Sequence, residues 1–335
     1  DRVTMNRLLE LKAADQEFEW YPSTDEIISK VGDDIIKSLP HWDYRDLSIM
    51  DVGAGDGRVL EGIAKAVYAD PAKYASRAIQ LFAIEKAIPH LSAMPKEISV
   101  IGTDFHEQTL CDKSMTVIFC NPPYSEFTDW ATRLIRESLC HILYLVIPTR
   151  WEEDEGIQEA IKRRGVVTVL GDFDFLNAER RAQARVHLLR VEFGYDSRNA
   201  HFDSLVEELI PELSRFELPE ECKSSEEHWP TGVTVHTEDT IADMVAAYDR
   251  AFEAIVNNYQ AAASLPLQLL AELGITKGLL LDGIRQKITG LKQRHWESFF
   301  SKCKPVTTRL ASKQRRLLFE SFQKKLGIDF TESNV

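Results

Sequence analysis

Four consecutive residues, Asn121-Pro122-Pro123-Tyr124, carry the most specific chemistry in this 335-residue chain. They close a short apolar run, 115–120, and two prolines there remove two amide donors and stiffen the backbone. Carbonyl acceptors are left aimed in a fixed direction. The Asn121 side-chain oxygen and the Pro122 carbonyl can both accept from one NH₂ group, while Tyr124 supplies a flat face for stacking. Pro123 holds the turn between them. Such a set positions a planar amine without a covalent nucleophile. The plain alternative is a rigid turn with no partner.

Upstream, Asp51-Val52-Gly53-Ala54-Gly55-Asp56-Gly57 follows another apolar run and precedes a helical stretch from Val59. Glycines at such a turn let the backbone pass close to a ligand, and the helix that follows offers free amides. A dinucleotide loop needs a third glycine three residues after the second, and here that position is Arg58. Glu85 follows the next apolar run and Asp104 the one after it. Each acid alone reads as a turn or helix-capping residue; together they place three carboxylates at successive strand ends.

The glycine loop is similar to the D/E-x-G-x-G-x-G loop of class I S-adenosylmethionine-dependent methyltransferases. The tetrad resembles the D/N-P-P-Y/F motif of those members that modify planar exocyclic amines or amides. A third segment, Glu19-Trp20-Tyr21-Pro22-Ser23-Thr24, resembles the aromatic-Pro-Ser/Thr stretch of adenine methyltransferases whose glycine loop comes first. The resemblance spans roughly residues 15–195. It implies S-adenosylmethionine as cofactor, held by Asp51, Gly53, Gly55 and Gly57 at its amino-acid end, Glu85 at the ribose and Asp104 at the adenine. Tyr21, Phe105 and Asn121 complete that site. It further implies that Asn121 and Pro122 turn an amine toward the methyl sulfonium while Tyr124 stacks on its ring. The Pro-Cys pair of enzymes that attack a cytosine ring carbon is absent, although Cys120 adjoins the motif.

The implied activity is N6-adenine methylation of DNA in a phage, prophage or restriction-related setting. Methylation of RNA adenine or guanine, or of a protein glutamine, uses the same tetrad. A cofactor-binding counter-defence protein without turnover is a rival of another class.

These residues require strands to present them. Short Val- and Ile-rich runs fall at 47–52, 81–84, 98–101, 115–120, 141–147, 166–170 and 186–193, mostly separated by helical spacing. That predicts an α/β, Rossmann-like sheet of seven strands. The short connection between the sixth and seventh predicts an antiparallel last hairpin. The expected organisation is a methyltransferase domain over 1–195, an acidic linker or cover over 196–240, and a mainly α-helical C-terminal region over 241–335.

A duplex adenine must leave the stack to be methylated, which calls for cations at the pocket mouth. Arg150, after the fifth strand, and Arg180, Arg181 and Arg185, in the last hairpin, are the candidates for nucleic-acid contact; a solvated charged turn is the alternative. Residues 275–325 are basic, with Trp296, Phe299 and Phe300 at core-like helical spacing, whereas 196–274 are acidic. The basic face could meet phosphates, a protein partner or the acidic stretch itself. Residues 284–335 also resemble the start of a helical domain of phage and prophage proteins, which implies a chain truncated at Val335.

Hydrophobic residues at 44% and charged residues at 28% exclude a largely disordered or membrane-embedded chain. A net charge of −13 excludes indiscriminate polyanion binding. Five scattered cysteines without a C-x-x-C pair point to a reducing compartment, here the cytoplasm, and give no metal site. No run is long enough to span a membrane. No signal-peptide pattern is present, and the sequence opens on Asp1.

Overall fold

The seven apolar runs assemble into one sheet. A computed structural model describes residues 2–38, 46–69, 78–175, 182–193, 209–211, 240–302 and 327–335. The chain divides into two compact units, Asp1–Arg198 and Asn199–Val335.

In the first unit, α1 (Arg2–Ala13) and α2 (Asp25–Ser38) precede β1 (Asp46–Val52), α3 (Arg58–Tyr68), β2 (Ala78–Ile84), α4 (Ile88–Ala93), β3 (Ile98–Gly102) and β4 (Val117–Cys120). Then come α5 (Phe127–Glu137), β5 (Ile142–Pro148), α6 (Glu155–Arg164), β6 (Gly165–Phe175) and β7 (Ala182–Phe193). The spatial order is β3-β2-β1-β4-β5-β7-β6. The first five strands are parallel, and β7 runs antiparallel to both neighbours, as the short β6–β7 connection predicts.

Burial explains why these segments are strands. All four residues of β4 and all seven of β5 are buried, the near-continuous apolar signature of strands covered on both faces. The edge strand β6 extends to Phe175, past its expected end at residue 170, because Asp172 and Asp174 alternate outward while Phe173 turns inward. An edge strand needs only one apolar face.

Helices lock the sheet from its sides. α2 buries Ile27, Ile28, Val31 and Ile35 against α3, where a Cβ at Gly62 would lie 2.4 Å from Ile28 Cγ2. Tyr144 on β5 donates to Asp34 on α2 at 2.6 Å, and Arg190 on β7 pairs with the same carboxylate at 3.0 Å. Arg164, at the end of α6, donates to the carbonyls of Ile135 and Arg136 at 2.7 Å each and of Ser138 at 3.2 Å. It thereby satisfies C-terminal carbonyls of α5, the helix that follows the tetrad, that have no partner within the helix.

The second unit contains α7 (Ile241–Ala263), α8 (Leu267–Glu272) and α9 (Lys277–Lys302). Thr240 and Asp243 form a reciprocal capping box that starts α7. Met244, Tyr248, Leu291 and Phe330 form its core, joined by Trp296 and Phe299. The Trp296 indole donates to Ile328 O at 2.8 Å, and Lys292 pairs with Asp329 at 2.7 Å with both side chains buried. The aromatic triplet is therefore packing, and Lys292 is not available to phosphate. The basic residues of 303–326, most of the 196–240 stretch, Cys222 and Cys303 lie outside the described residues.

Candidate active site

Strand register gathers the chemistry at one edge of the sheet. Val52 is paired with Ile84 on one side and Cys120 on the other, and Ile84 with Gly102. The residues that follow, Gly53, Glu85, Thr103-Asp104 and Asn121, therefore leave the carboxyl ends of four adjacent strands. The sheet order reverses between β1 and β4, the position where α/β sheets bind ligands.

Gly53, Gly55 and Gly57 have φ of 80°, 56° and 83°, in the left-handed region that only glycine enters freely. Gly53 N and Ala54 N both donate to Ile84 O, at 2.9 and 3.1 Å. A Cβ on Gly55 would stand 2.5 Å from Trp20 Nε1, so the indole lies directly on the loop. Glu85 holds the turn from beneath, accepting from Gly55 N at 2.6 Å and Ala87 N at 2.7 Å. Its expected ribose-binding oxygens thus already brace the loop. Arg58 is likewise committed, bound to Asp56 at 2.7 to 3.0 Å and to Thr4 at 3.2 Å.

Asp51 is 2% exposed, and its Oδ1 has no hydrogen-bond partner among the described residues. Burial, with Glu85 and Asp56 nearby, raises its pKa well above the usual carboxylate range. Burial also pushes Glu85 up to about 7, against the lowering effect of the amides it accepts from. Two carboxylates whose ionisation is opposed by burial and by neighbouring acids, Glu85 and Asp56 beside Asp51 and Asp56 beside Glu85, are matched to a cationic ligand, which would offset those penalties. The orphaned oxygen, the glycine cradle and this charge shortage fit the amino-acid and sulfonium end of S-adenosylmethionine.

Beside the loop opens a cavity of about 140 Å³, lined by Trp20, Glu85, Lys86, His90, Asp104, Phe105, Asn121, Pro123 and Trp130 among others. A second cavity, lined by Tyr21, Ser23, Asp51, Asp56, Arg58 and Asn121, lies against the glycine loop. Asp104 accepts from Lys86 Nζ at 2.6 Å and from His106 N at 3.0 Å. Burial would raise its pKa, but the Lys86 ammonium and the amide outweigh it and hold the carboxyl below its ordinary value. Phe105 is buried, with Trp130 stacked on it at 4.0 Å and the Arg133 guanidinium 4.8 Å from its ring centroid. Its ring is thus already engaged, though it lines the cavity.

At the tetrad, Asn121 Nδ2 donates to Tyr21 O at 2.9 Å and to Ser23 Oγ at 3.3 Å. A carbonyl can only accept, so these contacts fix which way the amide points. Oδ1 is left without a partner among the described residues. Asn121 lines both cavities, whereas Pro122 is buried and lines neither. The Tyr124 ring lies 5.4 Å from that of Tyr21 at an interplanar angle of 5°. The face expected for a substrate is therefore covered by Tyr21. Glu19 accepts from Ser125 N at 3.0 Å, and Arg150 donates to Tyr124 O at 3.1 Å, so the peptide group that closes the motif is braced on both sides. Cys120 is fully buried, and its thiol is pushed far up by burial and by Asp51, leaving no thiolate beside the site.

Of the proposed rim cations, Arg150 stands next to the tetrad with its side chain exposed. Arg185 is ion-paired across the hairpin with Asp172. Arg180 and Arg181 lie outside the described residues. Trp151 is buried and donates to His187 Nδ1 at 3.0 Å, a core role. Lys86, His90 and Trp130 were not anticipated. Their signal was positional: Lys86 and His90 follow the second acid within the same strand-to-helix turn, and Trp130 faces the loop from the first turns of α5. No described helix is long and apolar enough to cross a membrane, and no described cluster of His, Cys, Asp or Glu could hold a metal.

No protein-family model matches the chain, and a search of curated proteins finds no match. Solved structures do match its backbone. One is the E. cuniculi complex responsible for methylation of the eRF1 translation termination factor, at 14% identity and a TM-score of 0.36, over 52% of this chain and 99% of that one. Another is a class I S-adenosylmethionine-dependent methyltransferase of Listeria monocytogenes, described there as provisional, at 14% identity and a TM-score of 0.40, over 57% of this chain and 66% of that one. A third is a dimethyladenosine transferase from Plasmodium falciparum, at 12% identity and a TM-score of 0.39, over 82% and 98%. Similarity at this level carries no argument about substrate, which must come from the site itself.

Proposed function

We propose that this chain transfers the methyl group of S-adenosylmethionine to the exocyclic amine of adenine in DNA. The observation that carries the proposal is the orientation of Asn121. Its NH₂ is spent on Tyr21 O and Ser23 Oγ, which leaves its buried oxygen as an acceptor without a partner among the described residues, on a residue that lines both cavities.

Bound S-adenosylmethionine supplies an electrophilic methyl group on a positively charged sulfur. Asp51, with its unpaired oxygen, would hold the ammonium, the glycine loop would let the backbone approach the cofactor, and Asp104 with Lys86 would border its base. Asn121 Oδ1 would accept one N–H of the incoming amine, and the Pro122 carbonyl, on a buried residue that lines neither cavity here, would accept the other once the amine is seated against Asn121. That pair of bonds draws the nitrogen out of conjugation and turns its lone pair toward the methyl group. The extra proton on the methylated nitrogen leaves to water, since no neighbouring group needs to hold it. The planar ring gains the face of Tyr124 by displacing Tyr21, and the parallel arrangement of the two rings supports such a slot.

A nucleic-acid substrate is supported by Arg150, an exposed cation that donates to Tyr124 O beside the tetrad, and DNA is the member of that class the tetrad resemblance implies. The similarity of 284–335 to a phage-associated helical domain supports a mobile-element or restriction-related setting, with the helical region contacting DNA or a protein partner. The test is incubation with labelled S-adenosylmethionine and matched DNA, RNA and release-factor substrates, followed by nucleoside and peptide analysis. Label in N6-methyladenine from DNA supports the reading. Label confined to RNA or to glutamine reassigns the substrate, and cofactor binding without transfer to any of them reassigns the chain to a binding role.

A further inference from the structure

His90 lies in the short turn of helix after β2, on the wall of the larger cavity, and nothing in the reaction above uses it. Its residue is 2% exposed, and neither ring nitrogen has a hydrogen-bond partner among the described residues. A core histidine ordinarily satisfies at least one nitrogen, because an unpaired buried polar group is costly. The ring is held edge-on against Trp20, with centroids 4.6 Å apart. The charged groups near it are already committed: Arg58 to Asp56, and Arg7 to Glu10 and Pro89 O. Burial is the largest influence on the imidazole and lowers its pKa to about 4, so at neutral pH it carries one N–H donor and one bare acceptor.

Glu85, five residues earlier in the same turn, is the carboxylate expected at the ribose. Both of its oxygens are engaged with the backbone amides of Gly55 and Ala87. The base end of the cavity is marked instead by Asp104 and Lys86. A group that donates with one atom and accepts with another matches a hydroxyl, which does both.

We propose that His90 is a direct ligand of the ribose hydroxyls of the bound nucleoside, sharing that task with Glu85, whose two oxygens each already accept one backbone amide. The proposal rests on the cofactor reading given above. It assigns to His90 a binding role; the chemistry at the methyl group stays with the tetrad.

The test is calorimetric binding of S-adenosylhomocysteine and of its 2′-deoxy and 3′-deoxy analogues to the full chain and to His90→Phe and His90→Gln. Phenylalanine keeps the edge contact with Trp20 and removes both orphaned nitrogens, so His90→Phe should melt no lower than the parent. Its affinity for S-adenosylhomocysteine should nonetheless fall about tenfold, the usual yield of one lost hydrogen bond. The parental preference over one of the deoxy analogues should collapse in His90→Phe, and His90→Gln, which keeps a donor and an acceptor, should recover part of it. Parental affinity and full discrimination in His90→Phe would overturn the role of His90 and leave the cofactor reading standing. Failure of the parent chain to bind S-adenosylhomocysteine at all would overturn both.

Discussion

The side-chain amide of Asn121 donates to the backbone carbonyl of Tyr21 across 2.9 Å, joining residues 100 positions apart in the chain. That bond makes the stretch before α2 part of the tetrad, because it decides which end of the amide faces the substrate. Replacing Asn121 by Asp puts two acceptors against each other at that distance. Asn121→Asp is expected to lose about 100-fold or more in transfer rate at neutral pH, the scale of a lost oriented contact in an active site. Ser23→Ala, which removes only the 3.3 Å contact, should lose a few-fold. Steady-state kinetics on the two variants check this; equal losses would contradict it.

Glu19 reaches across to Ser125 N at 3.0 Å and fixes the far end of the same motif. Glu19→Ala should therefore lower kcat about tenfold by loosening the tetrad, while affinity for S-adenosylhomocysteine stays within about twofold. A loss confined to cofactor affinity would place Glu19 in a different role.

The glycine loop admits no side chain at Gly55, where φ is 56° and a Cβ would meet Trp20 Nε1 at 2.5 Å. Gly55→Ala is expected to cost about 1–2 kcal/mol of stability through its backbone conformation alone. It should also weaken cofactor binding by more than about tenfold as Trp20 is forced aside. Denaturant melts with calorimetry separate the two effects.

Glu85 gives a pH signature. Its folded pKa is about 7 against an ordinary value of 4.5, so between those values the folded protein holds a proton that the unfolded chain has released. The stability linked to this group is complete below about pH 4.5 and is lost as pH rises through about 7. Binding runs the other way. A cationic ligand favours the ionised carboxylate, so affinity for S-adenosylmethionine should climb by up to about tenfold per pH unit until about pH 7 and then level off. Calorimetry in buffers of different ionisation enthalpy should register proton release near pH 6.5, and Glu85→Gln should remove most of it. Affinity independent of pH would contradict the charge argument.

Arg164 bridges three carbonyls at the end of α5 from a position that is 6% exposed. Arg164→Ala leaves those acceptors unmet and is expected to cost about 3 kcal/mol, measured by urea denaturation. Transfer at low temperature, where the variant is folded, should persist, because Arg164 touches neither cavity.

The sheet was legible in the sequence because its strands are covered on both faces: β5 is seven buried residues in a row and could hardly be read otherwise. β6 was read too short because Gly171, Asp172 and Asp174 look like a turn, yet they are tolerable on an edge. Asp51, Glu85, Asp104 and Asn121 were legible as candidates because each lies within two residues of the end of a strand, and parallel register brings such residues together. Their present partners were not legible. That Glu85 spends its oxygens on Gly55 and Ala87, that Lys86 sits on Asp104, and that Tyr21 covers Tyr124 are all consequences of side-chain packing between segments distant in sequence. His90 escaped notice for the same reason: a lone histidine in a short helix carries no motif, and only its orphaned nitrogens beside a cavity distinguish it.

The central claim is that an acceptor oxygen on Asn121, beside the methyl donor, grips the adenine amine. It is tested most directly by measuring labelled methyl transfer to adenine-containing duplex DNA by the parent chain and by Asn121→Ala, with S-adenosylhomocysteine affinity measured on both. The account expects N6-methyladenine from the parent, a loss of at least about 100-fold in the variant, and cofactor affinity within about threefold. Methylation by Asn121→Ala at the parental rate would show that this oxygen does not hold the amine.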